Sequence, residues 1–430
     1  MQIVIAHSHL NPGGVTRIIE SQIESLPNET TKVLAGSCSN PEQITSRGAE
    51  IQIIEELNYL KNRRYGDKEA MKMLHRVHKK IRGQLPVDAI LHFHNLNLGK
   101  NPIVTYAVYL LAKEGVKVFN HSHDFAEDRP ANYQFIKEIL SDIFLQRIGE
   151  VLYPQLPNYQ FGVLNSYDFE RLQKYGVQKE RIELLPNPVT FNISKNILDK
   201  AGAKTQICSE LNLDKNKLLV TYPVRVIRRK NIGELILLSV LYSEKVNFVV
   251  TQPPKNPVEI DGYQKWTNFC KQEKIPIIFE AGNKVNFEKL LTASDFCITT
   301  SYQEGFGMVY LEPWLLNTPV VGREIEYISR DFRNDGFIFP ALYKQLNTPE
   351  SDIDFKDLDI NIQMKIIAGL KNLQTEKEKI FEQNEVLKSL FQKVKSETIE
   401  KNKKIIRNKY SIEGYGIKLQ NRYKKLVGQS

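Results

Sequence analysis

Short apolar runs, each about the length of a strand, recur along this chain between segments of helical spacing, and they fall into two series. The first occupies residues 2–6, 31–35, 89–92, 116–120, 162–165 and 182–185; the second occupies 218–223, 246–251, 277–279, 296–299 and 319–321. Apolar runs alternating with helices imply strands covered on both faces, which is a parallel sheet with helices on its two sides. A chain of 430 residues is too long for one typical core. The series break near residues 190–215, where Pro186-Asn187-Pro188 closes the first and a stretch with Lys, Asn and Asp leads into the second. Two Rossmann-like α/β domains are therefore expected, without a short-period repeat. Residues 362–407 read as long charged helices, and 410–426 again shows helical spacing.

The remaining bulk features exclude several classes. The start, Met1-Gln2-Ile3-Val4-Ile5-Ala6-His7, is a strand entering a loop, with no basic segment followed by a long apolar one. No apolar run approaches the roughly twenty residues that span a bilayer; residues 103–112 are too few and end at Lys113. A cytoplasmic location is the expectation. Cys38, Cys208, Cys270 and Cys297 lack metal-ligand or redox spacing and read as reduced, buried thiols. Of the net charge of +9, residues 371–430 carry most, with 15 Lys and Arg against 7 Asp and Glu. The run Lys401-Asn402-Lys403-Lys404-Ile405-Ile406-Arg407-Asn408-Lys409 is its densest part. Such a patch suits peripheral contact with an anionic membrane at its inner face, or else is a solvated helical surface. Aromatic platforms do not interleave with it, so no nucleic-acid partner is expected.

One segment is chemically specific: Ser301-Tyr302-Gln303-Glu304-Gly305-Phe306-Gly307-Met308-Val309-Tyr310-Leu311-Glu312. It follows the strand-like run at 296–300 and reads as strand, glycine-hinged turn and helix, the helix running into Glu312. Glycines admit close approach of a ligand to the backbone, and a helix start offers N–H groups to an anion. A phosphate could meet those amides while the two carboxylates accept bonds from sugar hydroxyls. The plainer reading is a helix start with an acidic cap and a solvated Glu. A second glycine turn, Asn11-Pro12-Gly13-Gly14-Val15, follows the first strand. The basic turn Val224-Arg225-Val226-Ile227-Arg228-Arg229-Lys230-Asn231 follows the strand at 218–223. All eight histidines precede residue 124, in the pairs His7/His9, His75/His78, His92/His94 and His121/His123. Several pairs sit at ends of parallel strands, where such sheets place their ligands, so acceptor binding or catalysis is expected of them rather than zinc.

The Glu304–Glu312 segment resembles the Glu-x7-Glu motif of retaining GT-B glycosyltransferases, the glycogen-synthase-like and sucrose-synthase-like group (glycosyltransferase family 4-like). The resemblance covers residues 2 to about 325. It implies an α/β GT-B fold, two Rossmann-like domains with parallel sheets facing an interdomain cleft. These would be an acceptor domain over 1–195, with a C-terminal helix at 408–430 packing back on it, and a donor domain over 210–400. By resemblance Glu304 contacts the transferred sugar, the amides of Gly305, Phe306 and Gly307 lie at sugar and phosphate, and Glu312 binds ribose hydroxyls. Arg225 and Lys230 match the Arg…Lys pair that neutralises the leaving diphosphate, although Asn231 stands where glycine usually follows the lysine. Gly13 and Gly14 match the loop at the donor phosphates, and Gly282 and Asn283 the place where the base is read by main-chain groups.

In the His121-Ser122-His123-Asp124 block, one histidine would back onto the sugar's C6 hydroxyl; His123, directly before Asp124, is taken, with His121 the other choice. Acceptor contacts are expected from His94, Asn95, Lys100, His121, Asp124 and Arg129, with Glu127 and Asp128 nearby. The implied activity moves a hexose from a UDP-, GDP- or ADP-hexose to a polar acceptor: a sugar, a small hydroxy acid, a lipid-linked glycan or a protein. No cofactor is implied, and no metal, since the donor site offers no Asp-x-Asp cluster. No carboxylate stands out as a nucleophile, so a front-face route is expected, with the departing diphosphate taking the acceptor's proton. A sugar-nucleotide epimerase, a glycan phosphorylase and a catalytically silent GT-B scaffold on an anionic surface are the alternatives.

Overall fold

Both apolar series form parallel sheets. The computed structural model describes the chain apart from residues 1, 28, 62, 190–198, 350, 372, 429 and 430. In the first sheet β1 (Ile3–His7), β2 (Thr30–Ala35), β3 (Glu50–Ile53), β4 (Ile90–His94), β5 (Lys117–Ser122), β6 (Tyr159–Val163) and β7 (Ile182–Leu184) lie in the order β3-β2-β1-β4-β5-β6-β7. In the second, β8 (Leu218–Arg225), β9 (Val246–Gln252), β10 (Ile277–Ile278), β11 (Phe296–Thr299), β12 (Val320–Arg323) and β13 (Leu342–Tyr343) lie in the order β10-β9-β8-β11-β12-β13. The chain divides into two units, Met1–Thr190 with Asn408–Ser430, and Phe191–Arg407.

Each order reverses once, between β1 and β4 and between β8 and β11. At such a reversal the loops leaving the two strands diverge to opposite faces, which opens a crevice at the strands' carboxyl ends. The ends of β1 and β4 carry His7 and His94, and the end of β8 carries Arg225. The segment holding Glu304 follows the end of β11.

Two strands escape the sequence reading. β3 is an edge strand whose residues are exposed or half-buried, and β13 has only two residues, so neither makes a continuous apolar run. The long charged helices expected over 362–407 are shorter separate ones, Ile360–Leu370, Gln374–Gln383, Glu385–Lys388 and Ser396–Lys409. Helix Ile232–Leu241 is apolar nearly all round, and all 10 of its residues are buried, as a helix sunk in a core must be. Cys208, Cys270 and Cys297 are buried and Cys38 half-buried, all as free thiols. Among the described residues no helix is long and apolar enough to cross a membrane.

In the first unit, helix Ile412–Leu426 lays Tyr415, Leu419, Tyr423 and Leu426 into the same cluster as Ile18, Ile19 and Ile23 of helix Gly14–Ser25. Their i, i+4 spacing makes one stripe. Gly416 lets the two backbones approach: a Cβ there would lie 2.8 Å from the Ser25 carbonyl oxygen. Gly416→Ala is therefore expected to destabilise the first unit by about 1–3 kcal/mol, the usual range for overpacking. Gly369→Ala, at a helical position with nothing within 4 Å of the new Cβ, should instead stabilise by up to about 1 kcal/mol. Urea unfolding of both variants checks the opposite signs.

Candidate active site

In the second unit, the loop after β8 and the loop after β11 are pinned to one another. The Tyr222 hydroxyl and the Thr300 hydroxyl both donate to the Lys230 carbonyl, at 3.1 and 3.0 Å, and Tyr222 also meets the Ser301 hydroxyl at 2.6 Å. This brings Lys230 Nζ onto Glu304 Oε1 as a hydrogen-bonded ion pair. Arg229 stands on the other side, Nη1 3.5 Å from Glu304 Oε2, and donates to the Gln303 carbonyl at 3.2 Å. Tyr327 clamps the Glu304 backbone: its hydroxyl accepts from Glu304 N–H at 3.1 Å and donates to the Glu304 carbonyl at 2.8 Å. Burial lowers the Lys230 pKa; Glu304 opposes that shift and Arg229 reinforces it.

Arg225, half-buried at the end of β8, reaches Gln252 Oε1 of β9 through Nη2 at 3.4 Å, and its buried Nε has no hydrogen-bond partner. The structure thus unites Lys230 with Glu304 and places Arg225 beside them in sequence, at the strand end. Asn231 takes a left-handed conformation, φ 50° and ψ 55°. That conformation is what the usual glycine would supply, and Asn is among the few other residues that tolerate it. The Asn231 side chain is also used, donating to Glu234 Oε2 at 2.8 Å.

The helix expected to run into Glu312 is not continuous. Gly307 sits at φ +87°, a short 3₁₀ turn covers Met308–Tyr310, and a four-residue helix Glu312–Leu315 follows. Pro313 is the cause: it lacks the N–H that would bond back to the preceding turn, so it is accommodated in the first turn of a new helix and not inside a continuous one. Glu312 is half-buried at the start of that short helix. Phe306 turns its ring inward against Phe332 at 5.6 Å between centroids, Gly307 is buried beside it, and Gly305 is half-buried. Gly282 and Asn283 form a 3₁₀ turn beside the end of β9, where a Cβ on Gly282 would fall 2.9 Å from the Thr251 carbonyl oxygen.

In the first unit, Gly13 caps helix Gly14–Ser25 in extended geometry. A Cβ on Gly14 would have nothing within 4 Å, and one on Gly13 only the Asn11 carbonyl oxygen at 3.7 Å. His7, His92, His94, His121 and His123 gather at the carboxyl ends of β1, β4 and β5, all of them buried. His94 Nδ1 meets His123 Nε2 at 2.9 Å and His94 Nε2 meets Gln22 Oε1 at 2.9 Å. Burial, with the neighbouring histidines adding to it, pushes His7 and His123 down to about 3 and holds His92, His94 and His121 well below the usual range. These imidazoles are neutral at physiological pH.

Asn95, left-handed at φ 67°, accepts from the N–H groups of His123 and Asp124 at 2.8 and 3.1 Å and so fixes that loop. Asp124 pairs with Arg129 at 2.7 Å. Lys100 lies over the Tyr59 ring, 4.6 Å from its centroid. Glu127 and Asp128 are engaged elsewhere, Glu127 by the Tyr153 hydroxyl at 2.7 Å and Asp128 by Arg171 at 2.8 Å. The sequence reading missed Arg229, Tyr327 and Gln22. Arg229 was visible as part of the basic run, but the other two carry no local pattern.

No protein-family model matches the chain. Mannosylglucosyl-3-phosphoglycerate synthase of Petrotoga mobilis is 30% identical over 366 residues, which covers 80% of this chain and 70% of that protein. Mannosylglucosylglycerate synthase of the same organism is 25% identical over 308 residues, 64% of this chain and 68% of that one. The structure of Anabaena HepE in complex with UDP and glucose matches with a TM-score of 0.61 over 99% of both chains at 12% identity, a likeness of fold. This chain belongs to the GT-B glycosyltransferases.

In this glycosyltransferase the residue after Lys230 offers a direct test of the loop. Asn231→Gly and Asn231→Ala both lose the bond to Glu234, but only alanine carries the left-handed penalty of about 1–2 kcal/mol. Urea unfolding of the second unit should therefore rank Asn231→Gly above Asn231→Ala by about that amount.

Proposed function

We propose that this glycosyltransferase moves a hexose from a UDP-, GDP- or ADP-hexose to a hydroxyl of a polar acceptor, with retention of configuration and without metal at the diphosphate. The observation that carries the reading is the Lys230–Glu304 pair beside the Gly305–Gly307 backbone. It sets a cation and a sugar-binding carboxylate at one loop, the combination a nucleotide sugar requires. The bond from the sugar's C1 to the diphosphate breaks, and the acceptor oxygen bonds to C1 on the same face. A diphosphate oxygen takes the acceptor's proton. Negative charge grows on the leaving diphosphate, so preorganised cations act most strongly in the transition state. Arg225 and Lys230 are assigned that role, Glu304 the sugar hydroxyls and Glu312 the ribose. Glycines 13 and 14 are required by neither φ nor packing, which supports close approach of phosphate to their backbone. Gly282 and Asn283 are assigned to the base.

His123 is assigned to the donor sugar, and Lys100, Asp124 and Arg129 to the acceptor. His94 and His121 are fully enclosed and Asn95 holds the His123 loop, so these three are assigned support from behind. Lys100 is depressed by burial and by Arg129 and Arg63, with Asp124 opposing. Such crowding of cations favours an anion. With the name of the 30% identical relative, it supports an acceptor carrying a carboxylate or phosphate, a glycosylated glycerate or phosphoglycerate. The epimerase and silent-scaffold readings are not favoured, since the curated relatives it matches are synthases. A cytoplasmic location, with Lys401, Lys404 and Arg407 exposed for peripheral contact with an anionic membrane, completes the reading.

Lys230→Ala, folded by circular dichroism, should turn over about 100-fold or more slowly at saturating donor; a wild-type rate would sink the assignment. Glu312→Ala should weaken nucleoside diphosphate and donor alike by about 1–3 kcal/mol, while Glu304→Ala spares the bare diphosphate. Calorimetry showing equal loss in both would reverse the two roles. Lys100→Ala should raise KM for an anionic glycerate acceptor about tenfold or more and leave donor affinity unchanged.

A further inference from the structure

His92 and His94 alternate on β4, and His121 pairs with His94 across the β4–β5 ladder, so the three side chains share one face of the sheet. All three are fully buried, and each offers a ring nitrogen within 4.8 Å of the others. Their hydrogen bonding is incomplete. His92 Nε2 and both nitrogens of His121 have no hydrogen-bond partner. A buried polar atom left unpaired costs about 1–3 kcal/mol, and native cores seldom leave several at one spot.

The outer side of the cluster is built. His92 Nδ1 meets the Tyr423 hydroxyl at 2.5 Å and Gln22 Nε2 at 3.0 Å, and Gln22 Oε1 holds His94 Nε2 at 2.9 Å. Groups that grip one nitrogen of an imidazole fix its ring and direct the other nitrogen, as partners behind metal-ligating histidines do. Among the described residues no carboxylate hydrogen-bonds to these three rings, and neutral imidazole is the form that binds a metal.

We propose that His92, His94 and His121 form a binding site for one divalent transition-metal ion, with zinc the natural occupant. Imidazole donors suit Zn²⁺, and three histidines with a fourth position open is an established zinc arrangement. His92 binds through Nε2, its Nδ1–H donating to the Tyr423 hydroxyl, which requires the Gln22 amide nitrogen, 3.0 Å from Nδ1, to turn from that ring and keep its bond to Tyr423. His94 keeps Nε2–H on Gln22 Oε1 and binds through Nδ1, releasing His123 Nε2. A tetrahedral site at Zn–N distances of about 2.0–2.1 Å needs nitrogens about 3.4 Å apart, so the widest pair draws in by about 1.4 Å, within reach of side-chain rotation. The ion would tie β4 and β5, through Gln22 and Tyr423, to helices Gly14–Ser25 and Ile412–Leu426. Metal uptake by these three residues does not depend on the donor assignment.

The test uses full-length untagged protein carrying His75→Ala and His78→Ala, which removes the helical pair on Asp67–Gln84. It is stripped with a chelator and titrated with Co²⁺. The expected result is about one equivalent bound, with the intense visible d–d bands of tetrahedral cobalt. Zn²⁺ should abolish those bands and raise the melting temperature by about 5 °C or more. Tyr423→Phe should weaken cobalt binding about tenfold or more while the bands persist. His121→Asn should abolish them; should it not fold, the wild-type titration decides alone. Uptake below about a tenth of an equivalent, weak octahedral-type bands, or unchanged binding in folded His121→Asn would each overturn the site.

Discussion

The geometry of the second unit depends on one buried ion-pair network. Arg323, at the end of β12 and 1% exposed, grips the fully buried Glu234 through Nε at 3.0 Å and through Nη2. Its remaining guanidinium hydrogens go to Asp354, at 2.7 Å from both Nη1 and Nη2, and to the Lys344 carbonyl, 2.8 Å from Nη1. Glu234 accepts further bonds from the Tyr343 hydroxyl at 2.7 Å and from Asn231 at 2.8 Å. Burying such charges is expensive, and removing one partner costs about 3–5 kcal/mol because the other is stranded. With both Glu234 oxygens and the guanidinium of Arg323 engaged, the network holds one arrangement. Because Glu234 lies in the first turn of the helix after the Lys230 loop, that arrangement fixes where the loop begins and ends. Asn231 is the joint: its side chain belongs to the network, and its left-handed backbone turns the chain from Lys230 into the helix.

Working outward from that joint, the contacts become progressively more polar and accessible. Tyr222, Thr300 and Ser301 hold the Lys230 carbonyl from beneath. Above them Lys230, Arg229 and Glu304 meet with side chains 13%, 34% and 9% exposed. A carboxylate between two cations is held in one place without rigid packing. Tyr327 holds the Glu304 backbone by both its N–H and its carbonyl. Rigid support beneath adaptable charge is the arrangement that electrostatic preorganisation requires.

The alternation of apolar runs was enough to read two parallel sheets, because strands buried on both faces have no choice but to be continuously apolar. It failed at β3 and β13 for the same reason: an edge strand and a two-residue strand have little to bury. The Glu304 turn was legible through its glycines, but the helix beyond it was not. There periodicity favoured one continuous helix, and the single residue Pro313 overrode it. The departure at Asn231 looked like a weakened motif in sequence, and it is instead a substitution that keeps the backbone conformation and adds a side-chain bond. Gln22 and Tyr423 were invisible as partners, since 401 positions separate them and only the docking of the C-terminal helix brings them together.

The two units solve unlike problems with the same topology. At the reversal in the second sheet the side chains are cations and carboxylates, suited to a group that gains charge. At the reversal in the first sheet they are neutral imidazoles, kept neutral because burial and mutual repulsion both oppose their protonation. An imidazole cluster of this kind carries no charge of its own, so its nitrogens act as hydrogen-bond partners or as ligand atoms, whereas the strand ends of the second unit act through charge.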